Sequence, residues 1–237
     1  MIRLFIALVL AVVFLILSVP AWGIMWIIKK FNPTGVEKAY FVIVSAAFRM
    51  VYRVCGVKLK VEGLENIPTD QGVVFVGNHS SIFDIVVFWG AMKKPVAFVA
   101  KSTIKKVPLL STWMKLNHCV FLNRENPREA IKAITDAADN VKNNWNMFIF
   151  PEGTRSKDGN IAEFKEGSLK IASRAAAPVI PVAFTGTRAV FEKRKLFTLF
   201  CPVTIKIGKP QLIAELPEDV KKYPGTYFKN QVESMLS

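Results

Sequence analysis

The chain has 237 residues, enough for one large α/β domain and an appendage, and its 32 Lys and Arg against 18 Asp and Glu give a formal charge of +14. A charge of that size suits a phosphate-rich partner, and the 51% hydrophobic fraction favours an anionic membrane surface over a nucleic acid. Three widely spaced cysteines without a C-x-x-C pair, and only two histidines, argue against a disulfide framework and a metal site, so we expect a reduced compartment, no metal and no bound cofactor.

Residues 4–28 carry no charge over 25 positions, between Arg3 and Lys29-Lys30. As one straight helix this stretch would cross a hydrocarbon layer of about 30 Å. Pro20 and Gly23 interrupt it, and the 16 residues before Pro20 reach only about 24 Å as a helix. A cleavable signal is a rival, because Arg3 supplies a basic start and Val19-Pro20-Ala21 resembles a small-residue cleavage site; the apolar run nevertheless continues through Ile28. After the turn Asn32-Pro33-Thr34-Gly35, with Thr34 and Glu37 spaced as a capping box, a second helix is predicted over residues 36–54. Tyr40, Phe41, Val44 and Phe48 belong to its apolar face, while Arg49 and Arg53 share a face and suit phosphate headgroups. We expect residues 1–56 to form a membrane-binding two-helix hairpin dipped into one leaflet. A full span by residues 4–28 is the alternative, in which Lys29-Lys30 would hold the body on the cytoplasmic side.

Over residues 57–237, apolar β-branched runs alternate with helical patterns. Strands are predicted at 57–61, 73–76, 96–99, 119–122, 147–150, 179–184 and 203–207, and helices at 82–92, 109–115, 128–143, 164–176 and 218–235. This alternation implies an α/β domain with a mixed, largely parallel sheet flanked by helices. The third helix is the best marked, with Asn126 as N-cap, Pro127 at its first position and Glu129 at its third.

Polar residues at strand ends are where such sheets build sites. The 73–76 strand stops at Gly77-Asn78, His79 stands on the turn, Ser80 or Ser81 opens a helix, and Asp84 lies in its first turns. A His just outside a helix start can fold back to an Asp five positions on, whose carboxylate then fixes the tautomer that leaves the second ring nitrogen free as a base. The plainer reading makes Asn78 and the serines helix caps and His79 a surface residue. The 119–122 strand ends in Asn123-Arg124, a solvated cation or a phosphate fork. The strand ending at Phe150 leads into Pro151-Glu152-Gly153-Thr154-Arg155-Ser156, which offers a carboxylate, a glycine, a hydroxyl and a guanidinium, tools for a small polyol phosphate. Pro181 within the 179–184 run implies an edge strand or a place beside a ligand.

These stretches together, NHSSIFD with His79 and Asp84, VFLNR with Arg124, FPEGTRS over 150–156 and VIPVAF over 179–184, resemble in order and spacing the four sequence blocks of the glycerolipid acyltransferases. The resemblance covers about residues 60–210 and is nearest to the bacterial 1-acyl-glycerol-3-phosphate acyltransferases. It implies acyl transfer from acyl-ACP or acyl-CoA to the sn-2 hydroxyl of lysophosphatidic acid, giving phosphatidic acid at the inner membrane, with the catalytic domain on the cytoplasmic side. It also implies His79 as general base, Asp84 as its orienter, Arg124 with Glu152, Gly153, Thr154 and Arg155 as glycerol-phosphate binders, and Pro181 as a wall of the site. From the residues themselves we add Lys101 and Lys105, which follow the 96–99 strand at i, i+4 and either face the phosphate or form a solvated face. An acylated Ser80 or Ser81 finds no support from a G-x-S-x-G elbow. Other acceptors, namely glycerol-3-phosphate, another lysophospholipid or an acylated amino acid, fit the same blocks. A non-catalytic basic membrane-surface or nucleic-acid-binding protein would leave HxxxxD and EGTR unexplained.

Overall fold

The computed structural model describes residues 2–194 and 199–236. Seven short runs rich in Val, Ile and Phe pair into one sheet: β1 (Val57–Glu62), β2 (Val74–Gly77), β3 (Val96–Lys101), β4 (Val120–Leu122), β5 (Asn146–Ile149), β6 (Val179–Thr185) and β7 (Cys201–Ile207). Their order is β1-β7-β6-β2-β5-β3-β4, and every neighbouring pair is parallel except β6 with β7. The sheet is therefore mixed and largely parallel, as the alternation of apolar runs and helical patterns predicts.

Strands buried on both faces need continuous apolar sequence, and Val74, Phe75 and Val76 of β2 are fully buried. Helix α3 (Ile82–Ala91) covers one side of this centre, where the Phe88 ring meets Phe148 at 4.7 Å and Phe75 at 5.0 Å, both edge-on. Such aromatic pairs contribute about 0.5–1.5 kcal/mol each beyond their burial. Helices α4 (Pro108–Leu116), α5 (Pro127–Lys142), α6 (Glu166–Ala175), the short α7 (Glu218–Lys221) and α8 (Pro224–Leu236) complete the body. In α5 the Asn126 side chain accepts from the backbone N–H groups of Arg128 and Glu129, the cap predicted from sequence. The helix predicted over 218–235 is two helices, because Pro224 cannot donate to a helical ladder and instead opens α8 at its first position.

Two N-terminal helices precede the sheet, α1 (Ile2–Lys29) and α2 (Pro33–Val54). The predicted break at Pro20 is absent: α1 runs through it for 28 residues, about 42 Å at 1.5 Å per residue. Phe14 and Ser18 before the proline and Trp22 after it all meet Trp113 of α4, with ring distances of 5.4 and 6.0 Å and a 2.8 Å bond from Trp113 Nε1 to Ser18 Oγ. Packing on both sides of Pro20 opposes the roughly 3 kcal/mol that a proline costs in a helix interior. The start of α2 also differs from the capping box expected at Thr34, since Asn32 caps it by accepting from the Gly35 N–H, with Pro33 at the first position. Glu37 instead pairs with Lys29 across the turn at 3.5 Å.

β6 is not an edge strand. It lies between β2 and β7, and Pro181 sits where the antiparallel ladder is open, between the Val179–Gln211 bridge and the Val182–Ile207 pair. Its carbonyl accepts from the Gly208 N–H at 2.8 Å on that side, so the donor that proline lacks falls in the gap left as the chain leaves β7.

Candidate active site

Because β2, β3, β4, β5 and β6 all run the same way, the segments that follow them emerge at one edge of the sheet. That edge gathers His79, Lys101, Arg124, the 151–156 turn and the 186–194 segment.

Ser81 is the N-cap of α3: its hydroxyl accepts from the Phe83 N–H at 3.0 Å, and Asp84, at the third position, reaches back to the Ser81 N–H at 2.8 Å. This is a capping box, and it fixes the Asp84 carboxylate before any catalytic partner is considered. The same oxygen, Oδ2, accepts from the Ser80 N–H at 2.8 Å and contacts His79 Nδ1 at 2.9 Å. Asp84 is fully buried, whereas the His79 side chain keeps 14% of its surface. A carboxylate anchored by two amides accepts from Nδ1–H, so the lone pair is left on Nε2. Phe150 stacks flat on the imidazole, centroids 3.9 Å apart and planes within 16°. The ring is thus held from its edge and from one face, which is how a base is kept in a single geometry.

Further bonds hold the turn that carries His79. Its N–H donates to Glu152 Oε1 at 2.5 Å, and its carbonyl accepts from the Ser156 N–H at 2.7 Å. Glu152 Oε2 accepts from the Ala162 N–H at 3.0 Å. Both oxygens of this buried carboxylate are spent on the chain's own amides; burial pushes its pKa up, and the bonds from Ala162 and His79 oppose that shift. Glu152 therefore positions the His79 turn from a buried site. Asn78, next to His79, extends the β2–β6 pairing with its side chain, donating to the Phe184 carbonyl at 3.1 Å and accepting from its N–H at 2.8 Å. Asp158 ties the loop after Ser156 by accepting from the Asn160 N–H, the Ser156 hydroxyl and the Asn160 side chain, which hold its carboxyl down at about 2.

Arg124 reaches the 151–156 turn, where its guanidinium donates to the Gly153 carbonyl. Gly153 has φ +84°, and a Cβ there would collide with that guanidinium, so glycine is required twice over. Thr154 and Arg155 are exposed, and Arg155 pairs with Glu192 at 3.0 Å. Arg124, Gly153, Thr154 and Arg155 thus form one cluster beside the dyad. Lys101 closes β3, and Lys105 lies in the turn that follows. The segment after β3 is a 3-10 turn, where residues three apart eclipse, so i, i+4 spacing gives them no common face; Lys105 lies over the Phe121 ring at 5.7 Å. Pro181 is buried in β6 against Gly208 and belongs to the ladder rather than to the rim of the site.

Both serine hydroxyls beside His79 are engaged structurally, Ser81 as the cap and Ser80 with Thr187 Oγ1 at 3.3 Å. Two concavities are distinct in character. An apolar groove of about 370 Å³ between α1, α2 and α4 is lined by residues such as Leu10, Phe14, Ile43, Met50 and Trp113, and a polar one of about 280 Å³ borders Asn78, Ser80, Thr185 and Arg188. The second is the one adjacent to the dyad.

A family model described as Acyltransferase matches residues 58–185, just over half of the chain, and takes in the dyad, Arg124 and the EGTR turn. The chain belongs to the acyltransferase family. This acyltransferase is 28% identical over 196 residues to a 1-acyl-sn-glycerol-3-phosphate acyltransferase of Borreliella burgdorferi, covering 83% of its own length and 78% of the relative's. It is 34% identical over 163 residues to the enzyme of that name from Cocos nucifera, covering 68% of itself and 52% of that longer protein. Its fold resembles the crystal structure of the 1-acyl-sn-glycerophosphate acyltransferase of Thermotoga maritima, with a TM-score of 0.69, 25% identity and 98% of each chain covered. Of the residues that shape the site, sequence reasoning missed Phe150, Asn78 as a ladder mimic, and Glu192. Their partners lie far away in sequence, and no local spacing signals them.

Proposed function

We propose that this acyltransferase transfers an acyl group from an acyl thioester to the sn-2 hydroxyl of 1-acyl-sn-glycerol-3-phosphate, giving phosphatidic acid. The observation that carries the reading is the 2.9 Å contact between His79 Nδ1 and an Asp84 carboxylate anchored by two helix amides. Nε2 of His79 takes the proton as the hydroxyl oxygen attacks the thioester carbonyl. The C–S bond then breaks, and the imidazolium returns the proton to the departing thiolate. General-base help of this kind accounts for about 10²–10⁴ in rate. Arg155 and Arg124 hold the acceptor's phosphate, a role suited to guanidinium forks at the rim of the turn. The acyl donor is acyl-ACP or acyl-CoA, and the names of the relatives support the acceptor.

The protein works at the cytoplasmic face of the inner membrane. In support, α1 is long and apolar enough to cross a bilayer, yet it is fastened to the body at two places: Arg3 donates to the Leu199 carbonyl, and Phe14, Ser18 and Trp22 meet Trp113. A helix fastened in this way favours the hairpin lying in one leaflet over a span that leaves the body.

A thioester-release assay with lysophosphatidic acid, glycerol-3-phosphate and a second lysophospholipid, each with acyl-ACP and acyl-CoA, tests the substrate assignment. Arg155→Lys is expected to raise KM for lysophosphatidic acid by about tenfold, the loss of one charge-assisted bond, and to change KM for the donor little. Equal changes in both would remove Arg155 from the phosphate site.

A further inference from the structure

One nitrogen of the Arg155 guanidinium is already engaged within the chain. Its Nη1 lies 3.0 Å from Glu192 Oε1, and the same oxygen accepts from the Ile82 N–H at 3.1 Å. Ile82 is the first residue of α3, two positions before Asp84. A single carboxylate oxygen therefore sits between an arginine fork and a helix N-terminus, the pairing that holds phosphate groups elsewhere in proteins. The ion pair itself adds little stability. The Arg155 side chain is 48% exposed, and half-exposed ion pairs contribute about 0–1 kcal/mol.

The backbone behind Glu192 is firmly placed. Val190 is fully buried, Phe191 stacks on Phe83 at 6.5 Å, and the Lys193 N–H donates to the Arg188 carbonyl at 2.8 Å. Rotation of the Glu192 side chain alone is enough to vacate the position. A phosphate monoester brings about two charges and three acceptor oxygens against one carboxylate charge, so it competes well for the same donors.

We infer that Glu192 is an internal occupant of the acceptor's phosphate subsite, displaced when lysophosphatidic acid binds and returning as the product leaves. The inference rests on the proposal that Arg155 binds that phosphate. Product and acceptor carry the same phosphate, so an internal competitor weakens both alike. It raises KM for the acceptor and limits inhibition by phosphatidic acid. A carboxylate that only orients Arg155 has the opposite effect, because its removal would weaken phosphate binding.

The sign of the change decides between these roles. Glu192→Gln keeps the size and an acceptor for the Ile82 N–H but removes the charge. It is expected to lower KM for lysophosphatidic acid, and the inhibition constants of phosphatidic acid and inorganic phosphate, each by about two- to fivefold, the bias a half-exposed ion pair exerts on its own equilibrium. Glu192→Asp, too short to bridge both partners, should move all three constants in the same direction and serves if the Gln variant folds poorly. Unchanged or raised constants in a variant of unaltered melting temperature overturn the inference. Arg155→Lys, run alongside, separates the two readings. If it leaves the phosphate constants untouched, the phosphate assignment itself fails. If it weakens them while Glu192→Gln also weakens them, Glu192 is a positioning partner and the occupant role alone falls.

Discussion

Asp84 serves two demands with one oxygen: it closes the capping box of α3 and it holds His79 Nδ1. The helix cap fixes the carboxylate, and the fixed carboxylate fixes the imidazole. Glu152 does the complementary work on the backbone, bridging the amides of His79 and Ala162. Glu152→Ala leaves two amides without an acceptor, each costing about 1–3 kcal/mol when buried. We expect a clear fall in melting temperature and a lower kcat, with KM for the acceptor nearly unchanged; calorimetry and steady-state kinetics on one preparation check both. The dyad was legible because its partners are five residues apart around a helix start, where local spacing determines what meets. The contacts of Glu152, Phe150 and Glu192 had no local signal because each meets a residue more than seventy positions away, which only the strand order brings close.

At the scale of elements, strands and caps followed their local residues, and departures came where tertiary contacts outweighed a local rule. Pro20 breaks a helix in isolation, yet α1 continues because Trp113 grips it on both sides of the proline. Pro181 signalled an edge but occupies a gap in an interior ladder, a vacancy created by the course of residues 208–211. Trp113 is one of two joints between hairpin and body: Tyr40 of α2 also meets its ring at 5.9 Å, while Phe48 of α2 packs on Trp89 of α3 at 5.6 Å. Trp113→Ala should cost about 3–5 kcal/mol and speed limited proteolysis at the exposed turn of residues 30–32 in detergent. A cleavage pattern like wild type would show that the hairpin is held elsewhere.

For the whole molecule, a +14 charge and an almost uncovered apolar helix suit the same proposed partner, an anionic membrane surface. Along α1, Phe5, Leu8, Ile16 and Leu17 are exposed, and Arg3, Lys29 and Lys30 stand at its ends. Apolar insertion is insensitive to salt, while attraction to anionic headgroups is screened within about 10 Å at 0.1 M ionic strength. Binding to vesicles of mixed anionic and zwitterionic lipid should therefore weaken with added salt to a plateau, without falling to zero. Loss to zero would make the hairpin dispensable for docking, and no salt effect would make the charge irrelevant. The central claim remains that a histidine held at the tip of β2 removes the acceptor's proton. Its most direct test is thioester release dependent on lysophosphatidic acid by His79→Ala, measured with melting temperature and vesicle binding. The account predicts that kcat falls by at least about 10²-fold while both other properties match wild type. A folded, membrane-bound His79→Ala protein that turns over at the wild-type rate would contradict it.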